Sequence, residues 1–358
     1  MARRFGALVA VLVAGLPGTL VGQTVRGHVL DPSHAPIVGA LVELRDLGGK
    51  PLQTMLTSPS GAFQLSVPAP GRYVYRVAAI GYQPRLAAAV DVPAAGVVLP
   101  DIVLDRLVVR LPDLVAAGRG RYCGTSGLTE GAFARLLEGA HTALQIIETA
   151  VNTHRVGFQV TIISTRTVYG AINNFEVADT TVEPLTSWPV QSIDPDTLHV
   201  VGFSRLLEPG NESTRWYYGP DPRVLFSGWF LETHCFTLDK PNRKRATDTL
   251  HLRFAPARKS ALVDVGGELV LDAHDLSLLE FSFELKNLPN WMPEGAAGGD
   301  MQFSRLGSGL WITKSWAMWA PRGGVSPYNR RISVAGQVET HGWVTKVLGG
   351  DATAPPPN

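Results

Sequence analysis

Val25-Arg26-Gly27-His28-Val29-Leu30-Asp31 opens a series of short β-rich runs separated by turn residues, and this series decides the fold of the N-terminal part of the chain. Pro36-Ile37-Val38-Gly39-Ala40-Leu41-Val42-Glu43-Leu44 comes next, then Thr57-Ser58-Pro59-Ser60-Gly61-Ala62-Phe63, Pro70-Gly71-Arg72-Tyr73 and Ala79-Ile80-Gly81-Tyr82. The runs 25–30, 40–45, 62–67, 73–79, 86–92 and 97–104 show no helical period, and their spacing predicts a β-sandwich of about seven strands. Phe63, Leu65, Tyr73 and Tyr75 alternate as inward residues of strands do. Gly39 and Gly61 stand at turns, where backbone freedom is needed.

The order of these motifs resembles the carboxypeptidase regulatory-like domain, a transthyretin-like sandwich found on many exported bacterial proteins. The resemblance covers residues 23–105 and implies a structural or docking module, not a peptidase. The metallocarboxypeptidases that carry such a domain need His and Glu ligands, usually begun by H-x-x-E. None of the nine histidines here has Glu three positions later, and HExxH is absent, so no metal and no cofactor is expected.

Working outward, the chain of 358 residues has material for about two domains. With 45% hydrophobic and 18% charged residues it is expected to fold rather than remain disordered. Lys and Arg number 32 against 31 Asp and Glu, so no overall field attracts nucleic acid, and nucleic-acid binding is not expected. Met1-Ala2-Arg3-Arg4 precedes an uncharged run from Phe5 to Val21, the pattern of a secretory signal peptide over residues 1–22. Export to the periplasm or outer membrane of a Gram-negative-type bacterium is the expectation. The mature chain is expected to have no transmembrane helix, with peripheral membrane contact left open.

Residues 106–118 read as a linker, residues 119–349 as a larger β-rich α+β domain, and residues 350–358, with Pro355-Pro356-Pro357, as a flexible tail. In the larger unit Thr129 is a candidate N-cap for a helix running to about Val151. Phe133, Leu136, Leu137, Ala140, Leu144 and Ile147 recur at helical spacing, so one face packs on a sheet. Arg135, Glu138, His141, Gln145 and Glu148 make the polar face. Downstream, runs at 157–168, 177–181, 198–206, 215–218, 249–254, 261–271, 278–285, 299–305, 310–320 and 334–345 predict strands. The fold expected is mainly β: a transthyretin-like sandwich plus an α+β unit whose curved antiparallel sheet wraps one helix. That order of strands is similar to the half-open barrel of periplasmic lipoprotein carriers.

Cys123 and Cys235 lack any CxxC spacing, and in an exported chain the pair predicts one disulfide. All eight tryptophans lie beyond the first domain, and Trp229, Trp311, Trp316 and Trp319 are candidates for a ligand groove, with core packing as the competing reading. His234 beside Cys235 does not make a nucleophile and base, because neighbours on a strand face opposite ways. Asp221, Glu232 and His234 are read as a local polar cluster near the disulfide. GxSxG, a P-loop and GxGxxG after a strand are absent, so no catalytic residue is assigned. Lys240, Arg243, Lys244, Arg245, Arg253, Arg258 and Lys259 face only Asp248, which reads as a solvated basic hairpin.

The function expected is therefore non-enzymatic: an exported cell-envelope protein that binds or docks a protein, a glycan or an apolar ligand. Two other readings stay open. One is a periplasmic carrier of lipid or lipoprotein with a hydrophobic groove in the larger unit, and the other is a hydrolase with an unrecognised site.

Overall fold

The computed structural model describes residues 23–107, 121–123, 131–153, 157–170, 173–211, 213–239, 248–325 and 329–348. The expected signal segment, the candidate N-cap Thr129, most of the expected linker, residues 240–247 of the basic hairpin and the Pro-rich tail lie outside them.

Nine strands build the first unit: β1 (Gln23–Leu30), β2 (Leu41–Arg45), β3 (Pro51–Leu56), β4 (Ala62–Val67), β5 (Gly71–Ala78), β6 (Arg85–Leu86), β7 (Val90–Val92), β8 (Val97–Val98) and β9 (Ile102–Val103). One sheet has the order β4-β1-β8, with β9 also on β1; the other has the order β3-β2-β5-β6, with β7 also on β5. Val25, Val29, Val42, Leu44, Phe63, Leu65 and Val77 fill the space between them. Gly61 has φ +74°, and a Cβ there would lie 2.6 Å from the Val29 carbonyl oxygen. The turn before β4 therefore accepts glycine alone. Strand β3 has no counterpart among the expected runs: its first three residues are exposed, so the alternation of a half-buried strand is missing from its sequence.

The second unit comprises β10 (Arg121–Cys123), α1 (Gly131–Asn152), β11 (Gly157–Val168), β12 (Phe175–Pro184), α2 (Pro195–Val201), β13 (Ser204–Leu206), β14 (Arg215–Tyr217), α3 (Pro222–Leu225), α4 (Gly228–Thr233), β15 (His234–Leu238), β16 (Thr249–Pro256), β17 (Asp264–Asp272), β18 (Leu278–Lys286), β19 (Gly298–Arg305), β20 (Trp311–Val325) and β21 (Ile332–Leu348). Ten of the strands form one sheet of order β10-β15-β16-β17-β18-β19-β20-β21-β11-β12, with every ladder antiparallel. Bulges in the β17–β18, β19–β20, β20–β21 and β11–β21 ladders add local twist and help the sheet curve.

Helix α1 lies in the concavity. Phe133, Leu136, Ala140, Ala143, Leu144, Ile147 and Ala150 belong to one buried cluster with Val160, Val344, Trp316, Ile312, Met301, Leu269 and Leu252 from the sheet. Phe254 of β16 and Phe281 and Phe283 of β18 carry this core across the intervening β17, with successive ring centroids 6.4 and 5.7 Å apart. Burying each such side chain stabilises the fold by about 1.5–3 kcal/mol.

Two expectations need correction. The strand expected at 198–206 starts as a helix: residues 198–201 belong to α2. Asp194 caps it, accepting from the Asp196 and Thr197 amides at 3.1 and 3.2 Å, and Pro195 occupies the first helical turn. Only the three residues of β13, beyond Gly202, are extended. The short helices α3 and α4 are absent from the expected elements, and they start the same way, with Asp221 capping Val224 and Ser227 capping Phe230. Each is too short to show a helical period, so only its cap is readable.

The polar face of α1 is partly covered: Arg135 is exposed, while Glu138, His141, Gln145 and Glu148 are half-buried. Strands β2 and β3 lie against it, and Leu41 and Leu56 of the sandwich join the core of the larger unit. Thr142 on the same helix face is 3% exposed. Alternation explains how: Val42 and Leu44 point into the sandwich, while Leu41 and Glu43 point out of it, and β2 is buried on both sides.

Candidate functional site

Of the four candidate tryptophans, Trp316 is a core residue. Its indole lies over Gly342 of the neighbouring strand, where a Cβ would come within 2.1 Å of the ring. Trp319 is half-buried, and its Nε1 donates to the Gly295 carbonyl at 3.0 Å beside a small recess of about 130 Å³. Trp311 lines a cleft of about 490 Å³ with the turn 36–39 of the sandwich. Trp229, on α4, stacks on His199 with ring centroids 5.0 Å apart and lines a cleft of about 790 Å³. The four do not share a groove. Trp229 stands on α4, and the other three share strand β20 but face different surroundings, which spacing along the chain does not reveal.

Cys123 and Cys235 form a disulfide, joining residues that are direct partners in the β10–β15 ladder. The bond pins a three-residue edge strand whose ladder alone is short. Cys123 borders the same cleft as Trp229, with Glu232, Arg258 and Lys259 at its rim.

The expected cluster of Asp221, Glu232 and His234 does not form. His234 is 1% exposed and stacked on Phe230, with ring centroids 3.7 Å apart. Its Nδ1 is 3.2 Å from the Phe230 carbonyl and 3.1 Å from Thr233 Oγ1, and its Nε2 is 3.1 Å from the Val265 carbonyl and 3.2 Å from Asp264 Oδ1. Its acidic partner is thus Asp264, a residue that no sequence motif singles out. Asp221 instead caps α3 and receives two hydrogen bonds from Arg223, at 3.0 and 2.6 Å, while Glu232 lies on the cleft rim.

The seam between the two units forms a different recess, a half-open cleft of about 1060 Å³. Ile80 and Tyr82 of the sandwich, Leu137 of α1, Phe226, Leu231 and Leu276 give it apolar walls, and Arg135, Glu138, His141 and Asp275 add polar groups. The volume suits a drug-sized ligand or a few side chains. His141 stacks on Phe226, with ring centroids 4.4 Å apart. Burial, followed by the charges of Arg76 and Arg45, pushes its imidazole down to about 4, so it is neutral at pH 7 and can both donate and accept a hydrogen bond. Glu148, two turns further along α1, is pushed up to about 7 by burial and the charge of Asp221, against the pull of Arg223. Helical spacing alone places both on the polar face of α1 and gives no sign of their burial. The one readable signal is Glu43, a carboxylate in the middle of an apolar strand, which needs a buried partner.

Residues 24–105 match the family model described as carboxypeptidase regulatory-like domain. No curated protein matches the chain. Among solved structures, it is similar to a type II cohesin-X-dockerin complex from Acetivibrio cellulolyticus, at 26% identity over 23% of this chain and 57% of that one, with a TM-score of 0.19. Hydroxyquinol 1,2-dioxygenase from Pseudomonas putida DLL-E4 matches at 14% identity over 24% of this chain and 57% of that one, with a TM-score of 0.19. A streptococcal ancillary pilin matches at 12% identity over 57% of this chain and 60% of that one, with a TM-score of 0.22. The chain thus spans little more than half the length of these structures. Among the described residues no helix is long and apolar enough to cross a membrane. Residues 24–105 of this chain are a carboxypeptidase regulatory-like domain.

Proposed function

We propose that this chain is a non-enzymatic docking protein of the cell envelope, exported by its N-terminal segment, and that it holds a partner at the seam between its two units. The observation that carries this reading is the position of α1. A lipid carrier needs an open apolar concavity, and here the concave face of the sheet packs on the helix as part of one buried cluster. The seam cleft offers what a docked protein side chain uses: apolar walls, a neutral imidazole, and charges at the rim. A hydrolase reading would rest on His141 and Glu148. With its imidazole pushed down to about 4, His141 is a weak general base, and among the described residues the cleft wall offers no serine or cysteine beside it to be activated.

Photo-crosslinking in the intact envelope tests the proposal. A photoreactive residue at Ala134, in the cleft wall, is expected to give a discrete protein adduct, and the same residue at exposed Leu47 on the sandwich is not. Adducts to lipid alone would overturn it.

A further inference from the structure

The two ends of the ten-stranded sheet are built differently. At one end β10 is three residues long, cross-linked to β15 by the disulfide and packed by α4. At the other end β12 runs for ten residues, and every one of them is exposed. All ten pair in register with β11 and the ladder has no bulge. Proline occurs only at the last position, Pro184, and lysine is absent. Natural edge strands are usually blunted by shortness, bulges, proline, charged side chains or a covering element. Strand β12 is long and unbulged, its proline stands at the very end, and no element among the described residues pairs with its outer side. Its only charges are the three carboxylates Glu176, Asp179 and Glu183, which leave the edge open to a strand of opposite charge. On its outer side, alternate residues present free N–H and C=O groups over roughly 34 Å.

The side chains say what kind of strand fits. Phe175, Val177 and Val182 are 68%, 61% and 59% exposed. Register places Phe175, Val177, Asp179 and Glu183 on the concave face, since Glu183 pairs with Val160 and Val160 with buried Val344. Glu176, Asp179 and Glu183 have no ion-pair partner among the described residues. The one cation on either strand, Arg166, lies on the inner neighbour β11. A second copy of the chain is a poor occupant. Antiparallel pairing of all ten residues with a second β12 sets Glu176 against Glu183 twice; of the two one-residue shifts, one sets Asp179 against Asp179 and the other gives none of the three carboxylates a cation, because β12 has none. Like charges directly opposite destabilise a ladder, and opposite charges support it.

We propose that β12 accepts a basic, extended peptide segment of a partner protein as a further strand of the sheet. Main-chain hydrogen bonds hold it, and cations opposite Glu176, Asp179 and Glu183 set its register. This surface is separate from the seam cleft and does not depend on the docking reading given to that cleft.

The test uses the full chain and a fluorescent peptide of sequence KVTTKTVKV, which places lysine opposite each carboxylate and valine opposite Phe175 and Val177. Binding is expected by fluorescence anisotropy at low salt, together with slowed hydrogen exchange confined to 175–184. The triple variant E176K/D179K/E183K is expected to bind about tenfold more weakly or worse. The same peptide N-methylated at alternate residues keeps its charge but loses its backbone donors, and it is expected not to bind to the unaltered protein. Equal binding of the methylated peptide, absence of binding by the parent peptide, or a concentration-dependent dimer that protects 175–184 would each overturn the proposal. The methylated probe is read on the unaltered chain, so the result stands even if the triple variant fails to fold.

Discussion

Arg76, on β5 of the sandwich, donates to the carboxylate of Glu138 on α1 and holds Thr142 Oγ1 of the same helix at 3.2 Å. The same guanidinium stands 4.0 Å from Glu43, a carboxylate only 7% exposed that also takes a 2.6 Å bond from Arg45. This network, with Leu41 and Leu56 beside it, makes the carboxypeptidase regulatory-like domain a wall of the seam cleft.

Removing Arg76 leaves Glu43 buried with one partner fewer. Arg76→Ala is therefore expected to cost about 3 kcal/mol, read in urea denaturation as a lower midpoint for the sandwich. Glu138 is 42% exposed and its half of the bridge is screened, so Glu138→Gln is expected to cost less than about 1 kcal/mol. Equal losses in the two variants would contradict the view that Glu43 is the group at stake.

The disulfide closes a long loop and pins the short strand β10. Reduction, or Cys235→Ala, is expected to cost about 2–4 kcal/mol and to lower the thermal midpoint. A Cys123–Cys235 peptide in a non-reducing digest should disappear with reductant. Two free thiols in protein taken from the envelope would refute the pairing in the cell.

Opposite pH responses come from two groups on one helix. The His141 imidazole titrates near 4 when folded, below its ordinary 6.5, so the stability it favours is present above pH 6.5 and is lost as pH falls towards 4. The Glu148 carboxyl titrates near 7 when folded, above its ordinary 4.5, so its contribution is full below 4.5 and is lost as pH rises through 7. The two offset each other between about 4.5 and 6.5. Glu148→Gln is expected to flatten the fall above pH 5 and to gain at most roughly 3 kcal/mol by pH 8, measured by urea unfolding across pH. A variant whose stability tracks the unaltered protein at every pH would show that Glu148 is not desolvated in the fold.

The sequence discloses most where the physics is local. The motifs around Gly39, Gly61 and Gly81 mark the sandwich because a left-handed turn depends on a few neighbouring residues. The 3.6-residue recurrence from Phe133 to Ile147 marks α1 for the same reason. The polar face of α1 is less legible, because nothing in its spacing shows that the sandwich strands β2 and β3 and the short helices lie against Glu138, His141 and Glu148. The tryptophans carry no address either: Trp311, Trp316 and Trp319 lie within one strand, yet only the bulged register of β20 decides which of them enters the core. Strand β12 is shorter in sequence because Glu176 and Glu183 interrupt its apolar run, and those carboxylates become informative only once the strand is seen at an open edge.

The packing of α1 into the sheet is the foundation of the docking account, and native mass spectrometry of the full chain, released gently from its envelope, tests it most directly. The account predicts the mass of the chain with no stoichiometric lipid. A retained lipid in a one-to-one complex, lost only on unfolding, would contradict it and would show that α1 swings out of the concavity to make room for a cargo.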